Sequence, residues 1–285
     1  MAAAARPTPA APPVVARTAA VEDPAALGPG VSIGHNAVVE AGAVVGAGVS
    51  VGPGVVVEAG AAVGAGTRLL AGTVLHPGVT VGERCVVGPY AVLGGEPMDT
   101  RFAGEASRVV VEDDVEIRDF VTVNRATGEG AVTRVGAGSL LMSYVHVSHN
   151  SDVGRGCVLT TSVQLVGHSQ VGDRANLGSS SLLHQFCRVG THAMFGAASA
   201  ANQDVLPYAM ARGNPARHYR LNSVGLQRAG FAGDRYRHLE QALRALRRRD
   251  HAALEELAAV SEEARDILEF VRTSRRGVAR FVTGG

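Results

Sequence analysis

The residues best suited to chemistry in this sequence are histidines gathered in its second half. Five of the ten histidines fall between positions 146 and 192: His146, His149, His168, His184 and His192. A neutral imidazole accepts a proton near physiological pH, so histidine is a common general base. A single surface histidine is usually only solvated. Five histidines in so short a stretch, three of which lie around one position of the sequence repeat described next, indicate a site.

The repeat is an apolar residue at every sixth position, with two interruptions. The series comprises Ile33, Val39, Val45, Val51, Val57, Val63, Leu69, Leu75, Val81, Val87 and Leu93, then Val111, Ile117 and Val123, then Val135, Leu141, Val147, Val153, Leu159, Leu165, Val171, Leu177, Leu183, Val189 and Phe195. A period of six fits neither an α-helix nor an ordinary amphipathic strand. It predicts coils of three short strands, about 18 residues per coil, whose inward side chains stack into one apolar core.

The coil length determines which residues share an edge. Eighteen residues per coil place Gly167 next to His149, and Gln185 next to Gly167, at a spacing of about 4.8 Å per coil. A histidine one coil from a glycine N–H supplies two parts that acyl transfer requires, a general base and a donor for the oxyanion. His168 and His184 lie one residue away from this column and are expected to flank a substrate.

Three segments are predicted along the chain. Residues 1–25 are rich in Ala and Pro and are expected to be a disordered tail, with a cleaved transit peptide as the alternative for residues 1–20. Residues 26–218 form the β-helix, interrupted by loops at about 94–108 and 124–133, where function tends to concentrate. Residues 219–285 form a helical domain that begins near Asn222, with breaks at 230–234 and around Asp250.

Composition excludes several classes of function. The net charge is +1, and all 27 basic residues are arginine, so nothing favours nucleic-acid binding. Cys85, Cys157 and Cys187 lack the spacing of a metal site, and their odd number fits a reducing compartment. No apolar run is long enough to span a membrane. Ser143 and Ser148 lie near His149, but neither sits in a nucleophile elbow, so no acyl-enzyme is expected.

An ordered set of motifs makes a family resemblance specific. The runs are Gly95 to Glu105 (GEPMDTRFAGE), Ile117-Arg118 through Val123-Asn124-Arg125, Leu140-Leu141-Met142 followed by His146 and His149, Gly167-His168, His184-Gln185-Phe186-Cys187, Gln203-Asp204-Val205, and the closing Ser274-Arg275-Arg276-Gly277. Together they resemble the UDP-N-acetylglucosamine acyltransferases, which carry out the first step of lipid A biosynthesis. That resemblance implies a left-handed β-helix, although the usual rule for parallel crossovers would favour right-handed winding.

The resemblance also implies roles for individual residues. His149 is the general base and Gly167 is the oxyanion donor. Asn150 occupies the position of the family residue that orients the catalytic histidine. The sugar and acyl-chain site is lined by Asp99, Arg101, His146, His168, His184 and Gln185, with the Asp99 loop reaching across a homotrimer interface. The nucleotide end is held by Asn222 and Arg228. Ala197, with Met194, would set the acyl-chain length. The expected assembly is a cytoplasmic homotrimer that acts on acyl carrier protein and a UDP-sugar, with no cofactor and no metal.

The sequence departs from the family pattern at five positions. Arg101 replaces a Lys and keeps the charge, whereas Asn150 replaces an Asp and brings no negative charge. Met98 replaces a Gln, and Val224 and Ala229 replace a Glu and an Arg near the nucleotide. The expected reaction is transfer of a fatty acyl group, by resemblance a 3-hydroxyacyl group, to the 3-hydroxyl of UDP-N-acetylglucosamine.

Three alternatives remain at this point. The first is a related acyltransferase that acts on another sugar or sugar nucleotide in a specialised glycolipid or antibiotic pathway. The second is a zinc hydrolyase that uses His146, His149 and a neighbouring subunit's histidine as ligands. The third is a non-catalytic homologue that only binds acyl carrier protein or nucleotide, an interpretation supported by Asn150.

Overall fold

The computed structural model describes residues 11–282, most of which form a left-handed parallel β-helix. Its strands lie in three sheets. The first contains Val14–Val15, Ser32–Ile33, Ser50–Val51, Arg68–Leu69, Val86–Val87, Glu116–Ile117, Leu140–Leu141, Val158–Leu159, Asn176–Leu177, Met194–Phe195, Ala209–Arg212 and Arg217–Leu221. The second contains Ala20–Val21, Val38–Val39, Val56–Val57, Val74–Leu75, Val92–Gly95, Thr122–Asn124, His146–Val147, Gln164–Leu165, Leu182–Leu183 and Ala200–Ala201. The third contains Val44–Val45, Ala62–Val63, Val79–Val81, Arg108–Val111, Val132–Val135, Asp152–Val153, Gln170–Val171 and Arg188–Val189.

The six-residue series forms the core, as predicted. Every member from Ile33 to Phe195 is at most 3% exposed and belongs to one continuous apolar cluster. In uninterrupted coils, each strand pairs with the strand one predicted coil further along the chain, as in the pairs Val44 with Ala62 and His146 with Gln164. The fold prediction is confirmed because inward side chains at identical positions stack on one another.

The three cysteines belong to the same core. Each lies two residues before a member of the apolar series and is fully buried. Burial raises the pKa of all three thiols, that of Cys157 to about 12. They are therefore protonated packing residues and not nucleophiles.

Two insertions leave the helix where the series is interrupted. Val92 pairs with Thr122 across the first, and Thr122 pairs with His146 across the second, so each pair is further apart in sequence than one coil. The residues between the strands Val92–Gly95 and Arg108–Val111, and between Thr122–Asn124 and Val132–Val135, form these insertions. Because the strand register resumes after each one, both insertions are loops outside an unbroken core.

The prediction of a disordered tail is wrong for residues 11–25, while residues 1–10 lie outside the described residues. Val14–Val15 pairs in parallel with Ser32–Ile33, and Ala20–Val21 pairs with Val38–Val39, followed by a short 3₁₀ helix at Pro24–Ala26. The physical reason is that Val15, Val21 and Leu27 extend the six-residue series backwards from Ile33. Pro12, Pro13 and Pro24 lie outside the two strands, so the prolines do not interrupt the strand pairing.

Four helices follow the coils. Helix α1 spans Ser223–Arg228, α2 Gly233–Arg248, α3 His251–Val260 and α4 Glu262–Arg272. Asn222, Asp250 and Ser261 cap α1, α3 and α4 through side-chain oxygens, as these residue types commonly do. No helix within residues 11–282 has the length and apolar character needed to cross a bilayer. The expected boundary at residue 218 falls inside the strand Arg217–Leu221, so the division into domains stays a prediction.

The strand Arg217–Leu221 carries a histidine that ties three segments together. His218 is fully buried, its Nε2 accepts the Leu206 N–H at 2.9 Å, and its Nδ1 lies 2.8 Å from the Ala279 carbonyl oxygen. Burial lowers the pKa of His218 to about 4. The neutral ring therefore connects the last coil, the strand and the segment after α4.

This histidine makes the protein sensitive to acid. Its pKa is lower in the folded than in the unfolded chain, so stability is complete above about pH 6.5 and falls between about pH 6.5 and 4 as the unfolded chain takes up the proton. We expect a loss of about 3 kcal/mol in the free energy of unfolding across this window. Urea unfolding at several pH values should show a flatter pH dependence for His218→Gln, whereas His251→Gln, at an exposed position, should behave like the wild type. An unchanged slope in His218→Gln would contradict this assignment.

Candidate active site

A cavity of about 400 Å³ lies along the edge between the second and third sheets, beside His149. It is lined by Met98, Asp99, Thr100, Arg101, His146, Ser148, His149, Val166, Gly167 and Gln185. The first four come from the first insertion, and the others come from three successive coils. The structure thus brings together six of the predicted site residues: Asp99, Arg101, His146, His149, Gly167 and Gln185.

Gly167 lies against the imidazole of His149, as the coil length predicted. The His168 N–H donates to the His149 carbonyl at 3.0 Å, which sets the two coils in register. A Cβ atom on Gly167 would lie 2.5 Å from both Cε1 and Nε2 of His149. Glycine is therefore required at 167 by the close approach of the ring.

The backbone N–H of Gly167 is available to a ligand. Among residues 11–282 no group accepts it. At the same corner of earlier coils, the equivalent N–H groups of Ala41 and Ala59 each donate to a carboxylate oxygen, of Glu22 and Glu40, at 2.9 Å. The corner therefore presents its N–H outward in a geometry that binds an anionic oxygen, and at Gly167 no side chain of the described residues accepts it.

Asn150 fixes the orientation and tautomer of His149. Its Oδ1 accepts the Thr127 N–H at 2.9 Å, and its Nδ2 donates to the Thr127 carbonyl at 2.9 Å, so the amide cannot be reversed without losing both bonds. The same Oδ1 lies 2.9 Å from His149 Nδ1. Because this oxygen only accepts, Nδ1 must carry the proton, and Nε2 keeps the lone pair. His149 therefore presents a basic nitrogen next to Gly167.

The first insertion brings a carboxylate close to the same ring within one protomer, whereas the family resemblance implies that this loop reaches across a subunit interface. Asp99 Oδ2 lies 3.9 Å from His149 Nδ1, and the Asp99 side chain is only 8% exposed. Arg101 donates to Asp99 from its backbone N–H at 3.0 Å, from Nε at 3.2 Å and from Nη2 at 3.0 Å. The hydrogen bonds from the Arg101 side chain and then its backbone hold the pKa of Asp99 well below its usual range. Asp99 is therefore ionised beside the histidine.

Two further histidines border the site in their neutral form. His146 Nδ1 lies 2.7 Å from the Thr122 hydroxyl, and the His168 ring packs edge-on against His149 and stacks on Phe186 at 4.7 Å. Burial is the largest cause that lowers the pKa of both, with the nearby His149 next. Nε2 of His146 and Nε2 of His168 are buried and have no hydrogen-bond partner within the described residues 11–282. Each can therefore serve a polar group of a ligand.

The remaining predicted residues do not line this cavity. His184 is in the same row of the second sheet as Ser148 and Val166, with Nδ1 3.3 Å from the Gln185 carbonyl oxygen. Asn222 caps α1 and donates to the His192 carbonyl at 2.9 Å, and Arg228 is exposed near the end of α1. Met194 lies in the strand Met194–Phe195 of the first sheet, and Ala197 lies at the turn between that strand and Ala200–Ala201 of the second sheet.

A metal is not required to explain the cluster. Asp99, His149 and His168 each offer one potential ligand atom, and these atoms lie within 4.8 Å of one another. However, Arg101 already bonds to both oxygens of Asp99, and His149 Nδ1 faces Asn150. This group also differs from the zinc set suggested by the sequence, which combined His146 with His149. The absence of a metal stays a prediction.

Sequence reasoning missed the residues that support the site from outside the six-residue series. Phe186 could have been found because it follows His168 by one full coil. Thr122 pairs with His146 only after the second insertion is counted. The peptide group of Thr127 carries no sequence signal, because any residue has the same N–H and carbonyl.

Comparisons with known proteins identify relatives of this chain. Residues 204–279 match the family described as "Udp N-acetylglucosamine O-acyltransferase; Domain 2", and residues 24–59 and 60–95 match "Bacterial transferase hexapeptide (six repeats)". The chain is 49% identical over 197 residues to an acyl-(acyl-carrier-protein)–UDP-N-acetylglucosamine O-acyltransferase of Rippkaea orientalis, covering 67% of this chain and 71% of that protein. A protein of the same name from Synechocystis is 37% identical over 172 residues, 59% of this chain and 62% of the relative's length.

The resemblance extends to solved structures. The structure of a UDP-N-acetylglucosamine acyltransferase from Campylobacter jejuni aligns with a TM-score of 0.78 and 27% identity, covering 94% of this chain and all of that one. With 94% of this chain aligned, the match extends over both the coils and the C-terminal helices. This chain belongs to the UDP-N-acetylglucosamine O-acyltransferase family.

Proposed function

We propose that this protein transfers a fatty acyl group from acyl carrier protein to the 3-hydroxyl of UDP-N-acetylglucosamine. The observation that carries the proposal is the contact between His149 Nε2 and the Gly167 corner, whose N–H has no acceptor within residues 11–282. A base and an oxyanion donor side by side suit attack of a hydroxyl on a thioester. The names of the family's members support acyl carrier protein and UDP-N-acetylglucosamine as substrates.

In the proposed reaction, Nε2 of His149 takes the proton of the sugar hydroxyl while its oxygen attacks the thioester carbonyl carbon. The Gly167 N–H stabilises the negative oxygen of the tetrahedral intermediate. When the intermediate collapses, the new C–O ester bond remains and the C–S bond breaks. The phosphopantetheine thiolate leaves with acyl carrier protein and takes the proton back from His149. No acyl-enzyme and no cofactor take part.

The cavity supplies groups that suit a sugar. His146 in the lining, and His168 beside Asp99 and His149, each offer a buried nitrogen that has no hydrogen-bond partner among residues 11–282, and Gln185 and Ser148 offer further polar atoms. Such groups orient a hydroxylated ring by hydrogen bonds, and they would be left unpaired by a ligand without hydroxyls. We assign the sugar to this part of the cavity, and we expect the donor to carry a 3-hydroxyacyl chain.

The proposal includes a cytoplasmic homotrimer with sites between subunits. Within one protomer Asn222 and Arg228 lie on α1 and do not line the cavity beside His149. If Asn222 and Arg228 hold the nucleotide, they must therefore reach the cavity from a neighbouring subunit. Sedimentation equilibrium should give three times the monomer mass, and a monomer with full activity would overturn this part of the proposal.

A second candidate is the same transfer to a different UDP-sugar. It is favoured by Met98, which lines the cavity and is 71% exposed, where a polar side chain would suit an acetamido sugar better. Val224, 56% exposed on α1, likewise offers no hydrogen bond to a nucleotide. An altered sugar would change the acceptor and leave the chemistry of His149 and Gly167 the same.

Mass spectrometry of the products tests both candidates. The purified protein is incubated with UDP-N-acetylglucosamine, UDP-glucose or UDP-N-acetylgalactosamine, each with acyl carrier protein thioesters of different lengths, with and without a 3-hydroxyl. We expect a product heavier than UDP-N-acetylglucosamine by one acyl group. A product from another sugar alone favours the second candidate, and no ester with any acceptor overturns the proposed function.

Chain length should depend on Ala197. By family resemblance this residue meets the far end of the acyl chain, and its side chain is exposed on a corner where neighbouring residues are small. Each methylene buried is worth about 0.8 kcal/mol, so blocking two changes preference by about tenfold. We expect Ala197→Gly to favour longer thioesters and Ala197→Met shorter ones in competition assays with mixed donors. Ala198→Gly, one residue further along the same corner, is the control; the same profile in all variants would place the end of the chain elsewhere.

A further inference from the structure

We propose that Asp99, held in place by Arg101, supplies the negative charge that stabilises protonated His149 in this chain. The inference rests on the proposed function, in which His149 becomes an imidazolium as it takes the proton of the hydroxyl. It assigns Asp99 a positioning and electrostatic role in addition to lining the cavity. The carboxylate and the histidine come from different parts of the chain, since one lies in the first insertion and the other in a coil.

The geometry supports an ion pair without a direct hydrogen bond. Asp99 Oδ2 lies 3.9 Å from His149 Nδ1, and both side chains are about nine-tenths buried. A carboxylate within about 4 to 6 Å favours the charged form of a histidine. Because neighbouring residues cover most of both side chains, the attraction is screened less than it would be between two exposed groups.

Asn150 cannot provide this charge, although it is closer to the ring. Its amide is neutral, and both of its polar atoms are engaged by the peptide group of Thr127. A neutral acceptor orients the imidazole and selects the tautomer, yet adds no ionic attraction when the ring becomes positive. Orientation and charge are therefore supplied by two different residues, Asn150 and Asp99.

The other charged or titratable groups that face His149 do not compete with Asp99. His146 on the same coil and His168 on the next are both kept neutral by burial. The Arg101 side chain is 68% exposed, so water screens much of its charge, while its hydrogen bonds fix the carboxylate beside the ring. Asp99 is thus the anion that can act on an imidazolium at this position.

Asp99→Asn tests the proposal against a simple role in sugar binding. The amide keeps the size and some hydrogen bonds but loses the charge. We expect kcat to fall about tenfold, KM for UDP-N-acetylglucosamine to change little, and the acidic limb of the rate profile to move to lower pH. Glu96→Gln is the matched control, since Glu96 belongs to the same insertion and pairs with Arg125 at 3.5 Å. A raised KM with an unmoved acidic limb would show a sugar contact only and overturn the proposal.

A double variant moves the charge to a new position. In Asp99→Asn with Asn150→Asp, the carboxylate sits at the residue that touches Nδ1, and the acidic limb should return toward its wild-type position. If the acidic limb of the double variant stays at the pH found for Asp99→Asn, the charge is not the cause of the shift. NMR of the His149 ring without substrates, assigned by comparison with His149→Gln, follows its protonation directly. If Asp99→Asn leaves this titration unchanged, the ion pair is absent, whatever the fate of the proposed reaction.

Discussion

Replacing His149 by alanine is expected to lower kcat by about 10²- to 10⁴-fold, the usual contribution of a general base. The reason is that Nε2 is the lone-pair nitrogen beside the Gly167 corner, as the Asn150 amide determines. KM for the sugar nucleotide should change little, because the ring acts on the proton in transfer. Steady-state rates with acyl carrier protein thioesters, measured with a circular dichroism melt of the variant, make this comparison.

The neighbouring histidine provides the control for this experiment. His168→Ala removes a ring that packs edge-on against His149 at 5.3 Å, so it should reduce activity less than His149→Ala. If His149→Ala keeps more than about a tenth of the wild-type kcat while His168→Ala does not, the base is His168.

Gly167→Ala is expected to have the second largest effect, a fall in kcat of about 10²-fold. The added methyl carbon would lie 2.5 Å from Cε1 and Nε2 of His149, closer than any such contact tolerates, so the imidazole must move away. A displacement of about 1 Å at a catalytic group can cost this much. Rates and a crystal structure of the variant would show the lost activity together with the displaced ring.

Two variants separate this cause from a general loss of folding. Gly95→Ala adds the same methyl group at the end of the strand Val92–Gly95, where its nearest neighbour would be Asn124 Nδ2 at an ordinary contact distance of 3.4 Å, and it should keep its activity. Gly167→Ala combined with His149→Ala should be no less active than His149→Ala alone, because the ring that the methyl group strikes is gone. A wild-type rate for Gly167→Ala would mean that the two coils separate easily, and the proposed oxyanion site would fail.

The periodic part of this protein was predictable because one physical requirement repeats. An inward apolar residue every sixth position determines the strands, and their stacking places Gly167 beside His149 without any knowledge of side-chain contacts. The same series, followed back to Val15, would also have identified the first strands, which composition alone concealed. Here Ala and Pro content was a weaker guide than the position of single valines.

The aperiodic part was not predictable from spacing. Asp99 reaches His149 from an insertion whose path has no repeat, and the Asn150 amide is oriented by the peptide group of Thr127. Asn222 was expected at the nucleotide end, yet within one protomer its side chain caps α1 and binds the His192 carbonyl. Contacts of this kind depend on loop conformation and assembly, which the hydrophobic pattern does not encode.

The insertions show how such a fold changes length without losing its site. Both lengthen a coil by a whole number of six-residue repeats, as the pairs Val92 with Thr122 and Thr122 with His146 show, and the pairing register resumes after each. The coils thus tolerate only insertions of six residues or a multiple of six, and the distance between neighbouring strands stays the same. One residue added or removed between His149 and Gly167 would turn an inward side chain outward and carry the N–H off the corner. Along this edge the sequence can therefore change only by substitution or by insertion of a loop outside the coils. The distance from the base to the oxyanion donor is set by the spacing of the backbone strands.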